Sequence, residues 1–482
     1  MAVSHIPILR QGNPYKSFDQ IEVCDHRNAV PLATLSLANA GLIRRDIGRL
    51  DEAAHPLRKL SVEELLALCS KAGNLFMNET LPLGEEGSQS PQEYIETLSA
   101  TSALPHSLCR RNMDKIHQVF TRMETILRGL TRGLPLRVID EGMGVQADVP
   151  VCYFAVTCSL GVVLPSNSPG VNSLWIPATP LKVPLVIKPG REEPWTPYRI
   201  IQAFIKAGCP PEAFSFYPAD HDGAEVILTQ TGRALVFGDE TTTARYAGKA
   251  SIQIHGPGRS KVLIGADVME IWRGFLDILV SSVADNGGRS CINASTIVVP
   301  SDSERIADDL ARRLASVQAL PLDDPQACLA GFPNPAMAEA IHQMIEEGLR
   351  VEGAEDYTAR YRPGSRLVKL KGTTYLLPTV IRCNTFDHPL ANREFLFPYV
   401  SVVEVPQEKM LEQIGPSLVV TAVTRSPEFI QQLLACSRID RLNIGPVPTS
   451  RVRWDQPHEG NLFEFLYRRR AIQVAGESET GQ

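Results

Sequence analysis

The sequence feature that most constrains the fold is a regular alternation of short apolar segments with helix-length segments over residues 160–255. Short apolar runs bounded by glycine or proline predict buried strands, and strands separated by single helices form parallel βαβ units. Such sheets bind ligands at the carboxyl ends of their strands. The predicted strands are GVVLPS, PLVIKPG, FSFYP, ALVFG and SIQIHG, with helices at 170–178, 197–207, 222–231 and 241–247.

A second α/β region follows, and the length of 482 residues also indicates more than one domain. A helix at 335–349 and a mobile loop around GAEDYTARYRPGSR are predicted within it. Its other predicted elements are a helix at 268–285, the strand STIVVP, a helix at 302–316, and the strands TYLLPTVIR and VSVVEV.

The first 130 residues are predicted to be mostly helical. Helices are expected in NAVPLATLSLANAGLIRRDI, at 61–77 and at 110–129, and Ser61 with Glu64 forms a capping box before the second of these. The β-branched runs LPLRVID and VQADVPVCYFAVTCSLGVVLP then predict a hairpin that turns at EGMG.

Composition excludes several classes of function. With 48 basic and 54 acidic residues, the net charge of -6 gives no basic surface for nucleic acid or an anionic membrane. Ten cysteines without a C-x-x-C pair or metal-ligand spacing indicate reduced thiols and no metal site. No segment reaches the roughly 18 apolar residues of a membrane helix, and the N-terminal segment does not resemble a secretory signal. A soluble, cytoplasmic protein is expected.

One cysteine stands in a setting suited to chemistry. NGGRSCINAS (286–295) places Cys291 after a predicted helix, in a turn rich in glycine and serine that a carbonyl carbon can approach closely. A thiolate there could attack an aldehyde and give a thiohemiacetal. The alternative for an isolated cysteine is a buried structural thiol.

Five stretches, in order from about residue 110 to 470, resemble the aldehyde dehydrogenase superfamily. NGGRSC resembles the motif N-x-G-Q-x-C, with Asn286, Gly288 and Cys291 in register, so the resemblance implies that Cys291 is the nucleophile. LPSNSPG (164–170) is similar to P-W-N-x-P, which implies that Asn167 donates to the developing oxyanion and that Ser166 lies at the cofactor. An ordinary turn asparagine is the alternative for Asn167.

A third stretch, VIKPGREEPWTP (186–197), resembles the strand-to-helix segment V-K-P-x-E that holds the cofactor's adenosine ribose. The match implies cofactor contacts from Lys188, Gly190 and the next residue, where Arg191 replaces the family's glutamate. A guanidinium can pair with a 2′-phosphate that a carboxylate would repel, so NADP(H) is preferred to NAD(H). Arg191 could instead face solvent or pair with Glu192 or Glu193.

Two more stretches imply cofactor contacts. ALVFGDETTT (234–243) stands where the family has F-T-G-S-T below the pyrophosphate, with Gly238 at the turn. Asp239 and Glu240 depart from that pattern, so either they cap the helix and face away or the pyrophosphate lies elsewhere. NREFLFPYVSVVEV (392–405) resembles E-E-I-F-G-P-V, which implies that Glu394 binds the nicotinamide ribose.

The largest departure concerns the general base. Hydrolytic members carry a glutamate in E-L-G-G-K, whereas HGPGRSKVLIG (255–265) puts His255 at that position. His255 can itself activate water or a thiol, or the acyl-cysteine passes to coenzyme A as in acyl-CoA reductases of the superfamily. The latter is preferred here, because REFLFP resembles those reductases more closely and because NADPH, which Arg191 favours, is the usual donor for biosynthetic reduction. A histidine with a purely structural role is the alternative.

The resemblance implies two Rossmann-like parallel-sheet domains and a small β oligomerisation element. The cofactor-binding domain is expected at 1–133 and 159–256, the oligomerisation element at 134–158 and 465–482, and the catalytic domain at 257–464. A homodimer or homotetramer acting on an aldehyde or acyl thioester is expected, and a non-catalytic relative is the alternative. His458, Glu459 and Asn461 lie where the resemblance is weakest, so they either contact substrate or build a loop.

Overall fold

The computed structural model describes residues 3–473, and two seven-stranded sheets dominate it. In the first sheet the five central strands are parallel, as the alternation of strands and helices predicts. An antiparallel N-terminal pair completes one edge. The spatial order is Ile252–His255, Arg233–Phe237, Leu160–Val163, Leu185–Lys188, Phe214–Phe216, Ile8–Arg10 and Asn13–Tyr15.

Helices cover this first sheet and bury a large aromatic core. Trp195, Phe204 and Phe214 are almost fully buried, and the rings of Phe204 and Phe214 stack at 5.2 Å. The α-helices of this half are Ala40–Ile47, Leu50–Lys59, Val62–Asn78, Pro91–Ser102, His106–Thr121, Met123–Leu130, Trp195–Ala207, His221–Gln230 and Glu240–Ala244. Between its strands lie the 3-10 helices Pro169–Leu174, Ile176–Ala178 and Pro211–Ala213.

The second sheet is parallel except for one edge strand. Its order is Ala354–Asp356, Thr379–Cys383, Tyr399–Glu404, Ala294–Val299, Ser260–Ile264, Ser417–Val423 and Ile439–Ile444. Its helices are Leu276–Ala284, Ser303–Leu314, Pro335–Leu349, Gln407–Gln413 and Pro427–Ala435, with 3-10 helices Ala266–Phe275, Asp285–Gly288 and Thr358–Arg360. The carboxyl ends of strands in both sheets lead into the segments that carry the predicted site residues.

Small sheets complete the chain. A three-stranded antiparallel sheet joins Met143–Gln146, Val149–Ala155 and the C-terminal strand Tyr467–Arg470. Another contains Ser4–Ile6, Pro31–Ser36 and Gln20–Cys24. The remaining elements are the pairs Leu81–Leu83 with Gly87–Gln89 and Leu367–Leu370 with Thr373–Leu376, and the short helices Val138–Glu141 and Leu462–Leu466.

Several local predictions were wrong. LPLRVID forms no strand but ends in a helical turn, and the hairpin turns at Ala147 and Asp148, which both have positive φ, rather than at EGMG. The segment predicted as one N-terminal helix contains the strand Pro31–Ser36 before a helix begins. The predicted helix 110–129 consists of two helices that meet at Arg122. The capping box of Ser61 and Glu64 is present as predicted.

The segment predicted to be a mobile loop is instead packed around buried charges. Asp356 accepts hydrogen bonds from Arg362 and from Arg366, at 3.3 and 2.7 Å, and all three side chains are buried. A strand beside these residues pairs with Thr379–Cys383. The mobile-loop prediction was therefore wrong, because buried ion pairs fix this irregular backbone.

Two absences apply to residues 3–473. No helix in this part of the chain is long and apolar enough to cross a membrane. The same residues contain no group of three or more His, Cys, Asp and Glu side chains arranged to hold a metal ion. The frayed tail predicted for GESETGQ lies outside the described residues.

Candidate active site

Cys291 follows a turn whose backbone only glycine and asparagine adopt readily. Asn286, Gly287 and Gly288 have φ of 53, 65 and 70°, three successive residues in the left-handed region. A Cβ on Gly288 would overlap the backbone of Phe397 and Pro398. The turn is therefore pressed against the REFLFP segment, and Asn286 and Gly288 are required by conformation and space.

Side chains from both halves of the chain hold the turn. Asn286 accepts a hydrogen bond from the Asn112 amide at 2.8 Å and donates to Ser290 Oγ at 3.0 Å. The carbonyl of Cys291 accepts from Ser260 Oγ at 2.8 Å. Gly258 touches the same carbonyl so closely that a Cβ there would clash with it. Cys291 is thus fixed beside the loop that follows His255.

Cys291 is partly exposed as a residue and packs against an apolar cluster that contains Ile292 and Val419. Burial raises the pKa of the Cys291 thiol, the carboxylates of Glu459 and Glu394 raise it further, and the cations of Lys115 and Arg441 oppose them. The thiol is therefore protonated at neutral pH and needs a base to become a nucleophile.

Asn167 lies against the same turn. Its amide donates to the carbonyl of Arg289 at 3.3 Å, and its Oδ1 is buried without a hydrogen-bond partner among the described residues. Asn167 therefore contacts the residue two positions before Cys291, and this hydrogen bond engages one of its two amide hydrogens. Arg289 occupies the family's glutamine position and is buried, which lowers the pKa of its guanidinium to about 10.

His255 is buried at the end of its strand and faces a carboxylate that sequence reasoning did not assign. Its ring stacks on Phe237 with centroids 4.4 Å apart, and its Nδ1 lies 2.7 Å from a Glu459 carboxylate oxygen. The two side chains are 4% and 14% exposed. The contact is close but not aligned as a hydrogen bond, and His255 Nε2 has no partner among the described residues. One ring nitrogen is thus left for a reacting group.

The C-terminal loop brings Glu459 to this position. The Gln253 amide donates to the carbonyl of Glu459, and Gly460 packs on Gln253 where a Cβ would not fit. Asn461 caps the helix Leu462–Leu466 and donates to the carbonyl of Leu130 at 2.9 Å. Asn461 thus builds the loop and Glu459 enters the site. The polar residues that precede the aromatic residues in HEGNLFEF indicate a loop, but nothing in the sequence indicates that this loop contacts His255.

A cavity opens beside His255. Apolar side chains from Val119, Leu174 and Trp454 form much of its wall, and Lys115, His255, His458 and Glu459 supply polar groups. Burial and neighbouring cations hold the pKa of His458 well below its usual range, so that His458 is neutral. An aldehyde in this cavity would lie beside His255 and Glu459. Lys115 lines the cavity, and Arg441 lies behind its wall, 3.3 Å from His458 Nδ1.

Comparison with known proteins decides the family. The sequence model described as "Aldehyde dehydrogenase family" matches residues 14–414, most of the chain. The chain belongs to the aldehyde dehydrogenase family. A search of curated protein sequences gave no significant match. As a family member the chain is an oxidoreductase of the aldehyde dehydrogenase type.

Solved structures agree with the family's fold. An NAD-dependent aldehyde dehydrogenase from Sinorhizobium meliloti has a TM-score of 0.77 and 17% identity, over 98% of this chain and 95% of that one. The aldehyde dehydrogenase KauB from Pseudomonas aeruginosa has 0.77 and 14%, over 97% and 96%. Aldehyde dehydrogenase 21 from Physcomitrella patens has 0.75 and 15%, over 99% and 100%. The predicted fold, with two parallel-sheet α/β halves, is confirmed.

In this aldehyde dehydrogenase the predicted adenosine-side residues lie together. Gly190 packs so tightly on Ser166 and Pro165 that a Cβ would overlap them, and the backbone N–H of Glu192 donates to Ser166 Oγ at 3.2 Å. Lys188 is partly buried, which lowers the pKa of its ammonium. The two segments thus form one continuous surface at the strand ends.

Arg191 is exposed and forms no ion pair with a described residue. Glu193 is buried and accepts from the Thr196 N–H at 2.9 Å, and burial raises the pKa of its carboxyl to about 8. Neither Glu192 nor Glu193 therefore neutralises Arg191. The structure shows the alternative in which the Arg191 guanidinium faces solvent.

Asp239 and Glu240 follow the first of their two alternatives. Asp239 caps the helix Glu240–Ala244 by accepting from the Thr242 N–H at 2.8 Å, and these backbone donors lower the pKa of Asp239. Glu240 pairs with Arg259 at 2.9 Å. Gly238 precedes the cap, and a Cβ added to Gly238 would lie 2.9 Å from Thr242. The helix is only five residues long and its first donors are used by Asp239.

Glu394 lies at the turn between His255 and Ser260. Its carboxylate accepts from the Arg259 N–H at 2.6 Å, and burial raises the pKa of Glu394 to about 7. It also raises the pKa of the Cys291 thiol, so the two groups are close. Of the nine predicted site residues, Ser166 and Gly190 contact each other directly. Asn167 and Glu394 instead contact the backbone of Arg289 and Arg259, and His255 contacts Glu459.

Proposed function

We propose that this chain oxidises an aldehyde to a carboxylic acid with a nicotinamide dinucleotide, through an acyl intermediate on Cys291. The observation that carries the proposal is the pairing of His255 with Glu459 beside the cavity. The sequence alone indicated a site without the family's carboxylate, and the C-terminal loop supplies one. A histidine next to a carboxylate can take a proton from a thiol or from water.

The chain's own groups account for the acid–base steps. His255 Nε2 accepts the proton of the Cys291 thiol, and the negative Glu459 stabilises the resulting imidazolium. The thiolate adds to the aldehyde carbon and forms a thiohemiacetal, whose oxygen is stabilised by the Asn167 amide once that amide releases the Arg289 carbonyl. A bound nicotinamide ring would accept the hydride. His255 first gives up that proton to solvent. It then accepts a proton from the water that attacks the acyl carbon, the C–S bond breaks, and the acid leaves with Cys291 restored as the thiolate.

The cofactor is proposed to be NADP(H), with NAD(H) the alternative. Lys188 and Arg191 offer positive charge beside the tight contact of Gly190 with Ser166, and Arg191 is free to meet a 2′-phosphate. The pyrophosphate position fits less well, because Asp239 already caps the helix where an anion would bind. Glu394 is proposed to contact the nicotinamide ribose.

A second candidate is reduction of an acyl thioester, with coenzyme A as the leaving thiol. The absence of a glutamate at position 255 and the exposed Arg191 favour it. The same His255 would then exchange its proton with coenzyme A. This candidate and the hydrolytic one differ only in what attacks the acyl-cysteine.

One experiment separates the candidates. Single-turnover assays with NADP⁺ and an aldehyde, with and without coenzyme A, are followed by mass spectrometry of the product. Free acid at the same rate with and without coenzyme A supports the hydrolytic proposal, and thioester formed only with coenzyme A supports the second candidate. Calorimetry that detects neither dinucleotide would favour a non-catalytic relative instead.

Assembly and location are also proposals. We expect a homodimer or homotetramer built on the sheet of Met143–Gln146, Val149–Ala155 and Tyr467–Arg470, in a cytoplasmic protein with reduced thiols. The proposed domain boundaries at 133, 158, 256 and 464 follow the changes from one sheet to another. Exposed apolar side chains at Met143, Val145 and Val149, each at least 45% accessible, support an interface at this hairpin.

A further inference from the structure

Lys115 directs an unneutralised ammonium towards the cavity. It lies on the helix His106–Thr121, whose neighbouring residues Ile116 and Val119 are buried. Its Nζ reaches the loop after Asn167, 3.6 Å from where a Cβ on Gly170 would lie. Among the described residues Lys115 has neither an ion pair nor a hydrogen-bond partner for its ammonium. Burial lowers the pKa of Lys115, as expected for a cation that lacks a counter-ion.

A second cation lies nearby on the edge strand Ile439–Ile444. Arg441 donates to the carbonyl of Arg451 at 2.8 Å and contacts His458 Nδ1 at 3.3 Å, and both partners are neutral groups. No described carboxylate forms an ion pair with it. Burial lowers the pKa of the Arg441 guanidinium, and Arg441 in turn lowers the pKa of Lys115.

The acidic groups of this region are committed elsewhere. Glu459, the carboxylate in the cavity wall, contacts His255 at 2.7 Å. Arg453, a further cation in the wall, pairs with Asp455 at 2.6 Å. Lys115 in the cavity wall and Arg441 behind His458 therefore form no ion pair with a described carboxylate in this partly desolvated region. Such charge is costly unless something pairs with it.

We infer that the aldehyde substrate carries an anionic group, a carboxylate or a phosphate, which Lys115 and Arg441 bind while the carbonyl carbon reaches Cys291. This inference rests on the proposed function and specifies its substrate class. Cys291 and Val452 pack against the same apolar cluster and Val452 also lines the cavity, so the anionic group is expected only a few bonds from the carbonyl. The apolar wall formed by Leu174 and Trp454 suits the intervening methylene groups.

The competing explanation is that Lys115 serves as counter-ion to the Cys291 thiolate. Substitution would then raise the thiol pKa and slow every aldehyde equally. An anion-binding role instead predicts discrimination between charged and neutral aldehydes of the same length, whatever the change in the pH profile of thiol alkylation.

The test compares wild type, Lys115→Met, Arg441→Gln and the control Lys409→Met, an exposed lysine on the helix Gln407–Gln413. Substrate pairs are 4-oxobutanoate with butanal and glyceraldehyde 3-phosphate with glyceraldehyde, which separate carboxylate from phosphate. For the preferred anion, loss of one charge-assisted contact should lower the charged-to-neutral ratio of kcat/KM about ten- to a hundredfold, mainly through KM. Lys409→Met should keep the wild-type ratio.

An equal loss on charged and neutral aldehydes, together with a raised alkylation pKa, would overturn the inference in favour of the counter-ion role. So would a wild-type enzyme with no preference for either charged aldehyde. If the wild type oxidises none of the four aldehydes, the proposed function fails. Measurements of anion binding then test this inference separately. Calorimetry with succinate and with inorganic phosphate should then show binding to wild type that Lys115→Met loses, and no binding to wild type would refute it.

Discussion

At position 255 an imidazole stacks on Phe237 and meets a carboxylate from a distant part of the chain. Motif comparison finds the missing glutamate but not Glu459, because the two residues are 204 positions apart and only the folded loop brings them together. The replacement of a motif residue therefore does not show that the folded site lacks the chemical group which that residue would supply.

Substitution of Glu459 tests this pairing. Glu459→Gln keeps the size of the side chain but removes the charge that stabilises protonated His255. The rate of acyl release should therefore fall. General base catalysis typically contributes a factor of roughly a hundred or more to such a step. Pre-steady-state measurements should show a slower burst of NADPH as well, because the same pair takes the proton of the Cys291 thiol. The exposed control Glu412→Gln should turn over normally, and a normal steady-state rate in Glu459→Gln would contradict the role of the pair.

The pH dependence of Cys291 follows from its surroundings. Because burial and two carboxylates raise the pKa of the thiol, the thiolate fraction is small at neutral pH and grows as the pH rises. Alkylation of the free enzyme by iodoacetamide should therefore accelerate with pH up to and beyond the ordinary thiol pKa of about 8.5. Mass spectrometry should locate the label at Cys291, and a rate that levels off below neutral pH would contradict the description.

At the level of elements, the turn before Cys291 has the most demanding backbone in the site. Gly288→Ala should inactivate the enzyme, because a left-handed alanine costs about 1–2 kcal/mol and its Cβ would also overlap the backbone of Phe397. Gly133→Ala is a matched control, since Gly133 has φ of 76° with no atom within 4 Å of the added Cβ. Thermal melts and activity should show the backbone cost alone in the control.

The buried charges around Asp356 stabilise an irregular segment of the second half. Arg366→Met leaves Asp356 with a weaker partner, and breaking such a buried pair costs about 3–5 kcal/mol. Urea denaturation should reveal the loss. Glu124→Gln, in an exposed ion pair with Arg128, should cost less than about 1 kcal/mol.

The strand–helix alternation of residues 160–255 could be predicted because parallel strands buried on both faces are continuously apolar. The same reasoning failed at 353–366, where Asp356 and two arginines stabilise a backbone that has no periodic pattern. It also failed at Val138–Glu141, where tertiary packing of Val138 and Ile139 outweighs the strand preference of a β-branched run. Motif spacing located Cys291, Asn167 and Glu394, but no local signal indicated Lys115 or Arg441, whose proximity arises only from folding.

At the scale of the whole molecule, the two sheets meet at the loops that carry the site. Arg259 links them once, since its guanidinium pairs with Glu240 of the first half while its backbone N–H binds Glu394 of the second. The proposed oligomer would add a third layer of contacts through the C-terminal strand.

A double substitution tests that oligomer. Val145 and Val149 are exposed on the hairpin, and replacing both by glutamate should disrupt an apolar interface between subunits. Light scattering after gel filtration should change from dimer or tetramer mass to that of the 52.9 kDa chain. A wild type of monomer mass would refute the proposed assembly.

The loop of Glu459 leads through one short helix to the strand Tyr467–Arg470, which is paired along its length with Val149–Ala155. We therefore expect that a displacement of that outer strand also displaces the Glu459 side chain, which faces His255. A dilute preparation whose subunits separate should lose acid production before it loses its fold, and activity should rise again on concentration.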